Sequence, residues 1–195
     1  MTAWKLFDGD IPYVSTAEFH AGRDRAPHLE QPGHRERLLL AASMLQDIAR
    51  PDLTFSDLGC GDGGLLSLVQ DAFGDAWGYD FCPANAAGWT DRGVTAASLD
   101  VFGADRHRVR IGDVTAMTEV LEHVADPPAV LAWVRGTSRW LACSSPQNED
   151  DCQHAPEHAW AWDMTGYADL ITAAGWVILR HEQAGPYQLI LASRG

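Results

Sequence analysis

Two groups of side chains in this 195-residue chain have the types and spacing for chemistry. The first lies in residues 55–64, FSDLGCGDGG, where Asp57 precedes Gly59, Gly61, Gly63 and Gly64. Glycines in such a turn permit positive φ and leave no Cβ to block a ligand's approach. Gly59, Gly61 and Gly64 satisfy G-x-G-x-x-G, a pattern that dinucleotide-binding turns also show; an ordinary tight turn between a strand and a helix satisfies it too. Asp57 shifts the balance. A carboxylate facing the turn would repel a pyrophosphate, and it can accept from an ammonium or a water. D-x-G-x-G-x-G therefore favours a zwitterionic ligand that carries an amino group. The second group is Glu119, Glu122 and His123, whose spacings of three and four would put them on one face of a helical turn. His154 or His158 could approach from a later loop. Two carboxylates and two imidazoles suit Mg²⁺, Mn²⁺ or a similar divalent ion. Without a metal, His123 or His158 becomes the candidate general base, because an imidazole titrates near neutrality.

These groups need a strand that feeds each turn and a helix that leaves it. Residues 53–58 form an apolar run that reads as a strand. LLSLVQDAF follows the glycines as a helix closed by Gly74, and its start supplies free N–H groups. Residues 76–80, AWGYD, form a second strand ending in Asp80. An acid about 20 residues past the glycine turn can accept from ribose hydroxyls. It can also cap the helix expected over 83–89; the spacing favours the ribose. A third strand spans 94–99, with Asp100 at its end, and a fourth spans 114–117, ahead of the Glu119 group. A helix over 128–135, a strand over 140–144 and a helix over 165–174 follow. Residues 176–181 and 187–192 flank Gly185-Pro186 as a hairpin. Upstream, Leu38, Ala41, Leu45 and Ile48 recur at helical spacing within 34–50, a helix that covers one face of the sheet. His34 and Arg37, near its start, could reach a ligand carboxylate or stay solvated.

In this order the segments resemble the class I S-adenosylmethionine-dependent methyltransferases over about two thirds of the chain. The resemblance implies an α/β fold: a Rossmann-like, seven-stranded, mostly parallel sheet with a C-terminal antiparallel hairpin and helices on both faces. It implies that Asp57, Gly59, Cys60 and Gly61 surround the methionine part of the cofactor, and that Asp80, with Phe81, holds the ribose. Asp100 would accept from the adenine amino group while the Val101 N–H meets a ring nitrogen, and Thr118 would edge the same site. His123, His158 and Glu119 are then the candidate catalytic residues. E-V-L-E-H, followed by S-P-Q-N-E and E-H-A-W-A-W, is similar to the small-RNA 3′-terminal 2′-O-methyltransferases. That likeness implies a metal held by Glu119, Glu122, His123 and His158. Against it, many metal-free class I enzymes carry E-V-L-E-H, the distal loop differs in length, and the chain is acidic. The expected function is methylation of an oxygen or nitrogen on a small or medium-sized acceptor, without a metal. The metal-dependent RNA enzyme, a nicotinamide-dependent oxidoreductase and a non-catalytic binding protein are the alternatives.

Composition narrows the partners. A formal net charge of −13 disfavours non-specific nucleic-acid contact, although Arg106, His107, Arg108 and Arg110 form one short basic turn. A hydrophobic content of 46% and a charged content of 21% fit a globular domain. No apolar run approaches the roughly 20 residues that span a bilayer, and the N-terminal residues lack the pattern of a signal peptide. Cys60, Cys82, Cys143 and Cys152 show no C-x-x-C spacing, so a cytoplasmic location without a disulfide framework is expected. Residues 1–33, broken by Pro12, Pro27 and Pro32 and carrying Trp4, Phe7, Tyr13, Phe19 and His28, read as an irregular strap or lid. Residues 34–195 read as one domain. The polar segment 145–163 is long for a connection and should shape the acceptor pocket with the strap. Within it, Trp160 and Trp162 are expected to point to opposite sides of a strand.

Overall fold

The computed structural model describes residues 3–6, 16–22 and 27–195; the expectations for Phe7, Pro12 and Tyr13 lie outside the described residues. In chain order the elements are β1 (Ala3–Lys5), α1 (Ala17–Ala21), α2 (Pro32–Gln46), β2 (Thr54–Leu58), α3 (Gly64–Val69), β3 (Asp75–Asp80), α4 (Ala86–Arg92) and β4 (Ala96–Ser98). Then come β5 (Val114–Thr118), α5 (Pro127–Arg135), β6 (Trp140–Pro146), β7 (Trp160–Trp162), α6 (Met164–Ala173), β8 (Trp176–Ala184) and β9 (Tyr187–Arg194).

Seven strands form one sheet in the order β4-β3-β2-β5-β6-β9-β8. The first five run parallel, and β9 is antiparallel to both β6 and β8. Successive strands step outward from β2 to β4, and the chain then crosses back to lay β5 on the other side of β2. Ligands of open α/β sheets bind in the crevice outside the carboxyl ends at such a reversal. Asp57 sits in β2 and Thr118 ends β5, on the two sides of that crevice.

The sheet is buried on both faces. One core joins Leu38, Leu45, Phe55 and Leu66 beneath α2 and α3. The other joins Met117, Leu131, Tyr167 and Trp176 beneath α5 and α6. Two polar residues within the central strands, Ser56 and Thr115, satisfy each other at 2.9 Å, and Thr115 meets Ser138 at 2.6 Å. Helix starts follow local chemistry. Asp126 accepts from the Ala129 N–H with Pro127 at the first turn, and Asp163 accepts from the Gly166 N–H. Pro32 likewise starts α2 two residues before the expected boundary.

Three expectations are corrected. Residues 119–123 do not make one helical turn: Glu119 has φ +57°, and only Leu121–His123 coil, as a single 3₁₀ turn. The strap and the 145–163 segment are not irregular throughout. β1 pairs antiparallel with β7, matching Ala3 to Trp162 and Lys5 to Trp160, and the Leu6 N–H reaches the Ala159 carbonyl at 3.0 Å. Trp160 and Trp162 do not diverge. A strand's period of two puts residues i and i+2 on one face, and their rings stack at 6.0 Å with 5° between planes. No helix among the described residues is long and apolar enough to cross a membrane, and all four cysteines are free.

Candidate active site

A cleft of about 1000 Å³ opens at the carboxyl edge of the sheet, and every residue that the sequence assigned to a cofactor lines it. The glycine turn forms one wall. Gly59 has φ +82°, and a Cβ there would fall 2.5 Å from Val120 Cγ2; a Cβ on Gly61 would fall 2.9 Å from His28 Cε1. A side chain at either place would be strained by the positive φ and would have to displace its neighbour. The Gly59 and Cys60 N–H groups both donate to the Tyr79 carbonyl. Asp80 then ties the turn to β3. It accepts from the Gly61 N–H at 2.9 Å, the Cys82 N–H at 2.8 Å and Asn85 Nδ2 at 2.9 Å. A carboxylate has about four acceptor sites, so these donors leave Asp80 about one for a ligand. The capping and ligand roles foreseen for it therefore compete for the same oxygens.

Asp57 is different. It is 1% exposed, and its Oδ1 has no hydrogen-bond partner. Burial pushes its pKa up to about 7, the charge of Asp80 adds to the rise, and Arg37 opposes it. A buried acceptor without a donor is costly, and an ammonium would satisfy this one. Asp100 is exposed and organises a turn, accepting from the Ala104 N–H at 3.4 Å while its own N–H donates to Asp105. Val101 beside it is buried.

At the other end of the cleft, β5 ends at Thr118 and the chain turns through Glu119. The Glu119 N–H donates to the Ser144 carbonyl and Oγ, and its Oε1 accepts from Ser144 Oγ at 2.7 Å. Buried Arg37 lies 3.7 Å from that oxygen and stacks over Tyr187. These contacts hold Glu119 apart from the triple that the structure does assemble. Glu122, His123 and His158 bring ligand atoms within 4.8 Å of one another. Glu122 is fully buried with both carboxyl oxygens unpartnered. Burial raises its pKa well above the carboxylate range, and the charge of Glu119 adds to that. Burial also raises Glu119, against the pull of Arg37 and Ser144. His123 Nδ1 meets the Glu157 carbonyl at 3.1 Å, and His158 Nδ1 meets Glu149 Oε2 at 2.5 Å. His154 turns to the Ala155 carbonyl instead.

Sequence reasoning missed Glu149 and His20. Glu149 faces His158 across a loop with no periodicity to betray it. His20 arrives on α1, its ring 5.8 Å from His123 and 5.1 Å from Phe81. The strap also reaches the glycine turn. The His28 N–H and ring both meet Asp62, which Arg92 holds from the other side at 2.8 Å.

The family model for a methyltransferase domain matches residues 33–181. The chain belongs to the class I S-adenosylmethionine-dependent methyltransferases. Among solved structures, this methyltransferase is similar to N-methyltransferase NodS from Bradyrhizobium japonicum WM9 in complex with S-adenosylhomocysteine. The two share 14% identity over 95% of this chain and 99% of that one, with a TM-score of 0.72. Magnesium protoporphyrin IX methyltransferase from Synechocystis PCC 6803, with bound S-adenosylhomocysteine, matches at 14% identity over 95% and 98%, with a TM-score of 0.69. The methyltransferase domain of bacterial CtHen1-C matches at 16% identity over 84% and 99%, with a TM-score of 0.64. No curated protein sequence matches. The family assignment displaces the nicotinamide-dependent alternative.

Proposed function

We propose that this methyltransferase transfers the methyl group of S-adenosylmethionine to an oxygen or nitrogen of a small or medium-sized acceptor. The unpartnered Oδ1 of buried Asp57 carries the reading. Asp57 lines the same cleft as Gly59 and Gly61, and the cofactor's amino group is the donor its acceptor lacks. Gly59, Cys60 and Gly61 surround the amino-acid tail. The free acceptor site of Asp80 takes a ribose hydroxyl beside Phe81, and Asp100 with Val101 meets the adenine. Thr118 borders the tail from β5. When bound, S-adenosylmethionine supplies a methyl group activated by its positive sulfur, so the chain must mainly position the acceptor and accept its proton.

His158 and His123 are the candidates for that proton, with Glu119 shaping the pocket beside them. The 145–163 segment and the strap form the acceptor end. β1 on β7, α1 beside Phe81 and His28 over Gly61 support residues 1–33 as a lid on a single domain of 34–195. The fold neighbours named for a porphyrin and for N-methylation support a small-molecule acceptor. The scattered free thiols support a cytoplasmic location. A labelled-methyl transfer screen against small-molecule fractions of cell extract tests the reading. Transfer to a low-mass product supports it; label confined to RNA would overturn the acceptor class.

The meeting of Glu122, His123 and His158 favours a second reading, in which these three hold a divalent ion. Imidazole and carboxylate suit Mn²⁺ or Zn²⁺, and partners at both Nδ1 atoms are what ligating histidines usually have. The ion would orient acceptor hydroxyls. Glu119, the fourth residue of the expected set, is held at Oε1 by Ser144 and is not part of the assembled triple. Calorimetry with Mn²⁺, followed by methylation of short RNA with and without chelator, separates the readings. Mn²⁺ binding lost in His158→Ala, with chelator-sensitive RNA methylation, would replace the first reading by the second.

A further inference from the structure

Glu149 is held at both of its carboxyl oxygens. Its Oε2 lies 2.5 Å from His158 Nδ1, and its Oε1 accepts from the Ala155 N–H at 3.1 Å. The pair is sheltered, the side chains being 15% and 10% exposed. Both residues line the cleft, and the His158 ring packs edge-on against His123 with centroids 4.7 Å apart. A carboxylate oxygen accepts and does not donate, so the shared hydrogen belongs to Nδ1. In the neutral ring the second nitrogen of His158, Nε2, then carries the lone pair. The main-chain bond to Ala155 fixes Glu149, and Glu149 in turn fixes the ring.

We propose that Glu149 is a positioning residue that sets the tautomer and orientation of His158, so that Nε2 addresses the acceptor. The role rests on reading this end of the cleft as the acceptor site. It holds whether Nε2 takes a proton or ligates an ion, since either task needs Nδ1 occupied. A purely structural Glu149 would only pin the loop through Ala155, and the tautomer of His158 would not depend on it.

Nitrogen-15 spectra of histidine-labelled protein separate the two roles and need no acceptor. Neutral His158 should show Nδ1–H in the wild type. Glu149→Ala should shift it toward Nε2–H or mix the two forms. Glu149→Gln, whose amide oxygen still accepts, should restore Nδ1–H. The remaining histidine signals report whether each variant is folded. Labelled-methyl incorporation into cell extract should fall about 10- to 100-fold in Glu149→Ala and recover in part in Glu149→Gln. Unchanged Nδ1–H in folded Glu149→Ala, or unchanged incorporation, would overturn the proposal. Calorimetry of the wild type with S-adenosylhomocysteine, run alongside, tests the underlying reading by itself.

Discussion

At the glycine turn, the ligand-facing groups come from two neighbouring strands and are locked by main-chain donors. Gly59, Cys60 and Gly61 all give their N–H groups to β3, and Asp80 joins the Gly61 donor to two from its own turn, the Cys82 N–H and Asn85 Nδ2. At the acceptor end side chains supply the locks, to one another and to the main chain, and most of them join different segments. Ser144 holds Glu119, Glu149 holds His158, and Arg37 reaches in from α2. Each end keeps one carboxyl group buried without a full set of partners, Asp57 at the first and Glu122 at the second. The difference teaches where rigidity comes from. The cofactor end is a property of the backbone, and single side chains there can be judged against fixed geometry. The acceptor end is a network in which each group depends on another.

The largest expected effect concerns Asp57. Its folded pKa of about 7 lies above the unfolded carboxylate value, so the folded protein holds a proton that the unfolded chain has lost. Stability from this group is therefore full below about pH 4 and is lost as pH rises toward 7. At about 1.4 kcal/mol per unit, the loss amounts to about 4 kcal/mol. Glu122, also raised, adds a change of the same sign. Denaturant unfolding at pH 4.5 and 7.5 should show wild-type stability falling, and Asp57→Asn should flatten part of that slope. An Asn variant with the full wild-type slope would remove Asp57 as its source.

A smaller effect separates backbone need from crowding. Gly59→Ala meets both positive φ and Val120, and should cost about 2–3 kcal/mol in thermal unfolding. Gly93→Ala has a similar φ of +63° with nothing within 4 Å, and should cost only about 1 kcal/mol. Equal costs would mean that the turn does not press on Val120, and that the two ends of the cleft are less tightly joined there.

The smallest concerns the strap. Burial works to raise the pKa of Asp62, but His28 and Arg92 outweigh it and hold the group well below the usual carboxylate range. Asp62→Ala should cost about 1 kcal/mol of stability at pH 7 and speed proteolysis near His28. A variant as resistant as the wild type would show that the strap is held elsewhere.

What the sequence revealed follows the same division. The succession of strands and helices around the glycine turn, and Asp57 within it, were legible because local spacing encodes them; the sheet itself was implied by the family resemblance. Glu119 was misread because its left-handed φ is held by donors' contacts with Ser144, on a different strand. The β1–β7 pair joins residues more than 150 positions apart, and no local pattern announces it. The stacking of Trp160 on Trp162 was legible in principle, since the period of two requires it. Glu149 could be found only once the loop had folded back on His158.

Calorimetric titration with S-adenosylhomocysteine, for the wild type and Asp57→Ala, tests the central claim most directly. The wild type should bind, and the variant should bind about 100-fold more weakly, as expected for losing a hydrogen bond to a charged group worth about 2–3 kcal/mol. No heat from the wild type, or equal affinity in the two proteins, would contradict the assignment of Asp57 to the cofactor's amino group.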